Sequence, residues 1–243
     1  MNTFWKAPLK LFLHFWFPCT CFCCGKDLAW RAEEPLCPAC AAALAAPGPL
    51  VCKRCGAVLK SGGAHCYACR GSKEREYKCR VIRSAFVFNT SSRALVHALK
   101  YARADYLAGY MGGLMAERFK KYPELADAEL VIPVPLYPKK NRRRGYNQSE
   151  LLAKAFGPKV GLTADTVSLS RVRDTVSQTT LGRRGRLLNM AGAFACNNRA
   201  AVKGKTILLI DDVATTGATL EGCAEALKRA GAKKVLAYTF ARE

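Results

Sequence analysis

The chain has 243 residues, of which 50% are hydrophobic and 23% charged. That balance describes a globular protein with a real core and excludes disorder or a coiled coil as an account of the whole. Two features depart from the ordinary, a formal net charge of +21 and 13 cysteines.

The positive charge is spread evenly. Lys and Arg outnumber Asp and Glu by 12 to 5 over residues 1–80, 14 to 6 over 81–160 and 13 to 7 over 161–243. No basic tail carries the excess, so the folded body itself is cationic and concentrates phosphate, phospholipid headgroups or nucleic acid around it. Solubility alone is the plain alternative.

Residues 1–17, MNTFWKAPLKLFLHFWF, carry Lys6 and Lys10 and then an apolar stretch broken by His14. They are too short for a membrane span and lack a small-residue cleavage site. The expectation is an apolar leader helix packed on the body, with peripheral membrane contact as the rival reading.

Residues 18–79 hold most of the cysteines. Eight of them form four C-x-x-C pairs, Cys21/Cys24, Cys37/Cys40, Cys52/Cys55 and Cys66/Cys69, with 12 residues between the first two pairs and 10 between the last two. A tetrahedral zinc ion takes two such rigid pairs, whereas disulfide scaffolds do not usually array cysteines as regular knuckles. Gly25 and Gly56 follow Cys24 and Cys55, where a tight turn points backbone N–H groups at the sulfurs. The spacing therefore predicts two tandem zinc ribbons with four cysteine ligands each. Thiolate ligation adds about −2 per site and leaves the net charge at roughly +17. Cys19 and Cys23 are surplus at the first site. His65, beside Cys66, is a rival ligand at the second, read here as a solvated histidine. Cys79, Cys196 and Cys223 read as buried small residues or spare thiols. Reduced cysteines without an export signal imply the cytoplasm.

From residue 80 to 243 the pattern changes to alternating strands and helices. Val81–Phe88 alternates as a strand, and Ser91 or Ser92 can cap a helix carrying Leu95, Val96 and Leu99. A second helix is predicted from about Tyr106 to Lys121. Leu130–Pro135 reads as a buried strand entering a stiff turn, Glu150–Phe156 as helix and Thr166–Ser170 as strand. Thr206–Ile210 is an apolar strand, Ala218–Ala230 a helix and Val235–Phe240 the last strand. Such alternation argues for a parallel sheet in an α/β domain.

The segment Ile207-Leu-Leu-Ile-Asp-Asp-Val-Ala-Thr-Thr-Gly-Ala-Thr219 carries the clearest chemistry. An apolar strand runs into paired acids, then a loop of small and hydroxylated residues, then a helix. The loop offers backbone N–H groups and threonine hydroxyls to a phosphate, and the helix N-terminus adds its partial positive charge. Asp211 and Asp212 sit at the carboxyl end of the strand, where open α/β sheets bind ligands. Two adjacent acids can accept hydrogen bonds from a ribose diol or help to hold magnesium. A capped turn with two solvated acids is the plain alternative, and it would not require all these features together.

This segment resembles the phosphoribosyl pyrophosphate (PRPP) motif of type I phosphoribosyltransferases. The resemblance implies that Asp211 and Asp212 serve the ribose hydroxyls while Ala214, Thr215, Thr216, Gly217 and Thr219 cradle the 5′-phosphate, with magnesium accompanying PRPP. Val131–Leu136 resembles the strand and pyrophosphate loop of that fold, which places Val134 and Pro135 at the diphosphate. Arg142-Arg-Arg-Gly-Tyr-Asn-Gln148 resembles the R-G-F-N-Q element of the ComF/GntX family, with tyrosine for phenylalanine. Arg171, Arg173, Thr175, Gln178, Leu181, Arg186, Asn189 and Ala193-Phe194 resemble that family's R-x-R-x-T-x-x-Q…L…R-x-x-N…A-F stretch. The apolar leader, the C-x-x-C-G knuckles and Leu99-Lys100-Tyr101 complete a pattern that covers nearly the whole chain.

The resemblance implies a type I phosphoribosyltransferase-like parallel sheet carrying a small amino-terminal zinc-ribbon module. It also implies a cytoplasmic factor of natural transformation that handles single-stranded DNA, with a DNA-uptake or helicase protein as a further partner. An active phosphoribosyltransferase of unknown acceptor and a PRPP-sensing nucleic-acid-binding regulator are the alternatives. The cations Lys139, Lys140, Arg142, Arg143 and Arg144, and the run Arg183, Arg184 and Arg186, would neutralise a diphosphate or track a nucleic-acid backbone, unless they are solvated faces. Arg171, Arg173, Asn147 and Gln178 join them as candidate contacts. Lys100 either reaches the diphosphate or snorkels from its helix. Tyr101 and Tyr146 either stack on bases or belong to the edge of the core.

Overall fold

The computed structural model describes residues 19–29, 32, 34–70, 77–175 and 190–243. The expected leader of residues 1–17 lies outside them, as do Gln178, Leu181, Arg183, Arg184, Arg186 and Asn189. Among the described residues, no helix is long and apolar enough to cross a membrane.

Two short helices, α1 (Pro38–Ala42) and α2 (Tyr67–Arg70), each carry one C-x-x-C pair or adjoin it. Then follow β1 (Val81–Val87), α3 (Thr90–Tyr101), α4 (Leu107–Phe119), β2 (Leu130–Pro133), α5 (Pro138–Arg144) and α6 (Gln148–Phe156). The chain continues through β3 (Leu169–Arg171), β4 (Phe194–Cys196), α7 (Arg199–Val202), β5 (Thr206–Ala214), α8 (Ala218–Arg229) and β6 (Lys234–Arg242).

The main sheet has the order β1-β6-β5-β2 and is wholly parallel. Parallel strands are covered on both faces, so β5 and β6 read as nearly continuous apolar runs. One face packs Leu208, Ile210, Leu236 and Tyr238 against Leu95, Leu99, Met111, Met115, Leu152 and Phe156 of α3, α4 and α6. The other packs Ile207, Leu209, Val235 and Ala237 against Leu220, Cys223, Ala224 and Leu227 of α8, together with Phe194 and Val202.

The cap of α3 is Asn89 rather than Ser91 or Ser92. Asn89 accepts from the Ser92 N–H at 3.1 Å, while Ser92 Oγ accepts from the Asn89 N–H at 2.8 Å. This reciprocal box lets the serine serve from inside the helix. The strand expected at Thr166–Ser170 forms at Leu169–Arg171 and pairs antiparallel with β4, apart from the main sheet. The Asp165 carboxylate causes the shift, because it takes the N–H groups of Val167 and Ser168 and holds those residues in a turn. The cationic run after the pyrophosphate-loop candidate is itself a helix, α5, with Pro138 in its first turn and Gly145 at φ +90° closing it.

The cysteine-rich segment lies along the free edge of β1. Ile82 N–H donates to Arg54 O and Val87 N–H to Ala45 O, both at 2.8 Å, and Arg83 Nη2 donates to Lys53 O at 2.9 Å. Gly56, at φ +69°, makes this approach possible, since a Cβ there would stand 2.6 Å from Ile82 O.

Candidate functional site

The two cysteine knuckles repeat one backbone scheme. Gly25 and Gly56 donate to Cys21 O and Cys52 O at 2.9 Å, and Cys21 and Cys52 donate to Lys26 O and Ala57 O at 2.8 Å. The bridges Thr20–Asp27 and Val51–Val58 close the two turns. Cys21, Cys24, Cys37 and Cys40 form one sulfur group, and Cys52, Cys55, Cys66 and Cys69 the other, with the sulfurs of each within 4.8 Å of one another. Cys24 and Cys37 are 3.8 Å apart, Cys55 and Cys66 3.7 Å. A tetrahedron with Zn–S bonds of about 2.3 Å has edges of about 3.8 Å, while a disulfide needs about 2.05 Å. Both groups therefore fit a structural zinc ion.

Burial would raise the Cys21 and Cys52 thiols, but amide donors hold them down to about 6 and about 5. Those donors come from Cys24, Cys37 and Cys23 in the first knuckle, and from Cys55 and Cys66, with His65, in the second. Cys23 lies outside the four-sulfur group, with its Sγ 3.6 Å from Ser91 Oγ and a further side-chain contact to Cys40. His65 is half-buried rather than solvated, with Nδ1 4.0 Å from Cys52 Sγ and outside the sulfur group.

The acid pair lies in the other half of the chain. β5 does not end at Ile210 but pairs with β6 as far as Ala214, so both acids are strand residues. β2 stops at Pro133, opposite Ile210, which leaves the β2-side edge of β5 open from Asp211 onward. The two acids take separate partners, from α6 and α3, which cover the same face of the sheet. Asp211 accepts from Ser149 Oγ at 2.7 Å, at the start of α6. Asp212 pairs with the Lys100 ammonium, from the last turn of α3. Burial and the neighbouring Asp212 push the Asp211 carboxyl up to about 7, against the pull of Ser149 and Lys100. Burial alone would lower the Lys100 pKa, but Asp212 and Asp211 raise it overall.

The loop after β5 is shorter than the motif suggested. Ala214 is buried in the strand, and its carbonyl accepts from Glu243 N–H at 3.1 Å. Thr215, Thr216 and Gly217 remain as loop, and Gly217 at φ +78° starts α8. Thr216 Oγ1 accepts from Ala218 N–H at 3.4 Å. Thr219 lies in the first turn of α8, where N–H groups have no partner within the helix.

Other expected contacts are spent on the fold. The Val134 N–H donates to Ile210 O at 2.9 Å and Pro135 has none, so the first N–H groups the turn can offer are those of Leu136 and Tyr137. Asn147 is buried, donates to Val134 O at 3.0 Å and caps α6 by accepting from Ser149 N–H at 3.1 Å. Arg171 bonds Thr175 and lies over the Phe194 ring, and Arg173 donates to Ala191 O at 2.7 Å. Arg142 and Arg143 are exposed on α5, while Arg144 bonds Gln148. Tyr146 is half-buried and donates to Leu99 O at 2.6 Å, which makes it core edge. Ser149 was not anticipated; its place directly after Asn147-Gln148 was the available signal.

The phosphoribosyl transferase domain family matches residues 143–243. DNA utilization protein YhgH of Salmonella typhimurium is 28% identical over 241 residues, covering 98% of this chain and 96% of that protein. Competence protein F of Haemophilus influenzae is 27% identical over 195 residues, 79% of this chain and 84% of that protein. Competence protein ComFC of Bacillus subtilis is 27% identical over 234 residues, 90% of this chain and 91% of that protein. A parallel sheet that presents paired acids and a threonine-glycine loop defines a phosphoribosyltransferase-like protein. With two four-cysteine knuckles on the edge of that sheet, the chain belongs to the ComF family.

Proposed function

We propose that this chain binds PRPP with magnesium at the β5–α8 junction and handles single-stranded DNA during DNA uptake. The observation that carries the first part is the placing of Asp211 and Asp212 at the open end of the sheet, directly before the Thr215–Gly217 loop and the start of α8. The acids would take the ribose hydroxyls and take part in holding magnesium. Thr215, Thr216, Gly217 and Thr219, with the helix N-terminus, would hold the 5′-phosphate. The diphosphate would lie toward Leu136 and Tyr137, beside Lys100. In the free protein Lys100 neutralises Asp212, so a cation and ribose arriving there would release its charge toward the diphosphate. The names of the relatives, the cationic body and the metal knuckles support the DNA-handling part.

Titration of magnesium-PRPP into zinc-loaded protein by calorimetry tests the ligand. Wild type should bind, and Asp212→Asn should bind far more weakly while keeping its zinc. No binding by wild type would remove PRPP from the function, and equal binding by both would remove the acid pair from its site.

A further inference from the structure

A cavity of about 180 Å³ opens beside the acid pair, between the α3–α4 loop and α5. Among the described residues five cations line it, Lys100, Arg103, Lys140, Arg143 and Arg144, and no carboxylate does. Two of the five have acidic partners, Lys100 with Asp212 and Lys140 with Asp174 at 3.6 Å. Arg103 and Arg143 have no hydrogen bond or ion pair among the described residues, and Asp105, the acid on the same loop, accepts from Tyr106 N–H at 3.1 Å and reaches the cavity only through its charge on Tyr146. The cavity therefore holds surplus positive charge that the fold does not use. Arg103 sits at φ +53°, a left-handed backbone held by a non-glycine residue. Such strain persists only where the surroundings enforce it, and it gathers at binding sites.

Two tyrosines bracket that loop in the open. Tyr101 is 65% and Tyr106 68% exposed. Tyr101 is held between His97, at 4.7 Å between ring centroids, and the Arg144 guanidinium, 5.6 Å from its ring. Tyr106 lies 6.3 Å from Phe22 of the first knuckle. Rings that a core would normally bury thus form a path from the cationic cavity to the metal module. Fixed cations beside exposed aromatic rings match the chemistry of a strand with accessible bases, with phosphates in the cavity and bases on the rings. A duplex keeps its base faces stacked inside and cannot use the rings.

We infer that the Tyr101–Tyr106 loop and the adjoining Arg103–Arg144 side of the cavity form a docking site for single-stranded nucleic acid, next to the diphosphate position at Lys100. This rests on the DNA-handling reading above and locates it. The test is fluorescence anisotropy of labelled oligo(dT) with zinc-loaded full chain over a salt series, alongside magnesium-PRPP calorimetry on the same proteins. Tyr101→Leu should weaken oligonucleotide binding roughly tenfold, the loss expected of one stacked base. Arg103→Asn, which tolerates the left-handed backbone, should weaken it and lower the salt slope by about one. Both variants should keep wild-type PRPP affinity and thermal midpoint. Oligonucleotide binding unchanged in both variants would place the strand elsewhere and overturn the inference. So would equal losses of PRPP and oligonucleotide, with pyrophosphate displacing the strand, because the cavity would then be the diphosphate site. Failure of wild type to bind any oligonucleotide would instead remove the DNA-handling reading, and the site with it.

Discussion

Replacing Glu221 by alanine should loosen the second knuckle from the sheet domain. Glu221 lies in the first turn of α8, directly after the phosphate-loop candidate. Its carboxylate accepts from the backbone N–H groups of Lys78 and Cys79, the latter at 3.3 Å, and from Arg54 Nη2 at 3.3 Å. Arg54 in turn donates Nη1 to Cys69 Sγ at 3.4 Å. The two charged side chains are only 11% and 15% exposed. Removing one partner of such a buried pair costs about 3–5 kcal/mol, because the other charge is left uncompensated. For a chain of this size that is a fall of roughly 6–20 °C in thermal midpoint. Arg54, the outer partner of the Cys69 sulfur, would stay but lose its anchor, so zinc retention should also weaken, by less than the roughly 10- to 100-fold expected from losing Arg54 itself.

The assay is thermal unfolding of zinc-loaded protein followed by circular dichroism, with zinc release to a competing chelator measured in parallel. Glu221→Gln keeps an acceptor for Cys79 and should fall between alanine and wild type. If Glu221→Ala unfolds within about 0.5 kcal/mol of wild type and holds both zinc ions as tightly, the clamp is not stabilising and the argument fails.

Three further outcomes follow from the same geometry. The Asp211 carboxyl, raised to about 7 by burial and by Asp212, keeps its proton in the folded chain after the unfolded chain, near 3.8, has lost it. Stability should therefore fall as pH rises from about 4 to about 7 and then level off, a slope that Asp211→Asn should flatten in denaturant titrations. If magnesium-PRPP takes the ionised pair, its binding below that pH should release a proton from the protein, and comparing wild type with Asp211→Asn in buffers of different ionisation enthalpy separates it from the ligand's own phosphate. Gly217→Ala places a Cβ 3.0 Å from Ile82 Cδ1 at φ +78°. It should cost about 1–2 kcal/mol in stability while lowering PRPP affinity by more than that in calorimetry. Chelation of zinc should lower the midpoint of the sheet domain as well as unfolding the knuckles, with recovery on adding zinc but not magnesium.

The parts of this architecture set by local chemistry were readable in the sequence. Four C-x-x-C pairs announced two four-sulfur groups, and the apolar runs at Ile207–Ile210 and Val235–Phe240 announced the central parallel strands. What local patterns could not give was where neighbouring strands stop. β5 outruns β2 because Asp211 finds Ser149 and Asp212 finds Lys100, partners 62 and 112 positions away in sequence. The same holds for the candidate contacts. Val134, Asn147 and Ala214 were placed at the ligand by motif position, yet each spends its polar groups on neighbouring chain. The cationic helix α5 was hidden because five basic residues within six positions, broken only by Asn141, mask helical periodicity, and only Pro138 and Gly145 mark its ends.

The placing of the knuckles gives the metal a role beyond its own module. An exposed parallel edge strand offers unpaired N–H and C=O groups to other chains. Here the β1 edge is taken by Arg54 O and Ala45 O, and the β2 edge by the segment Thr163–Asp165, through Val131 N–H to Thr163 O at 2.9 Å and Asp165 N–H to Val131 O at 2.8 Å. Only the first of these covers depends on metal for its shape, since a ribbon this small has little core of its own. Contacts then extend from both knuckles to the ligand end of the sheet. The first meets α3 through Cys23 and Ser91 and meets the tyrosine loop through Phe22 and Tyr106. The second meets the start of α8 through Arg54 and Glu221. Zinc held by the knuckles would thereby support from two sides the elements that frame Asp211 and Asp212. Metal loss should accordingly be felt at the acid pair, although neither sulfur group touches it.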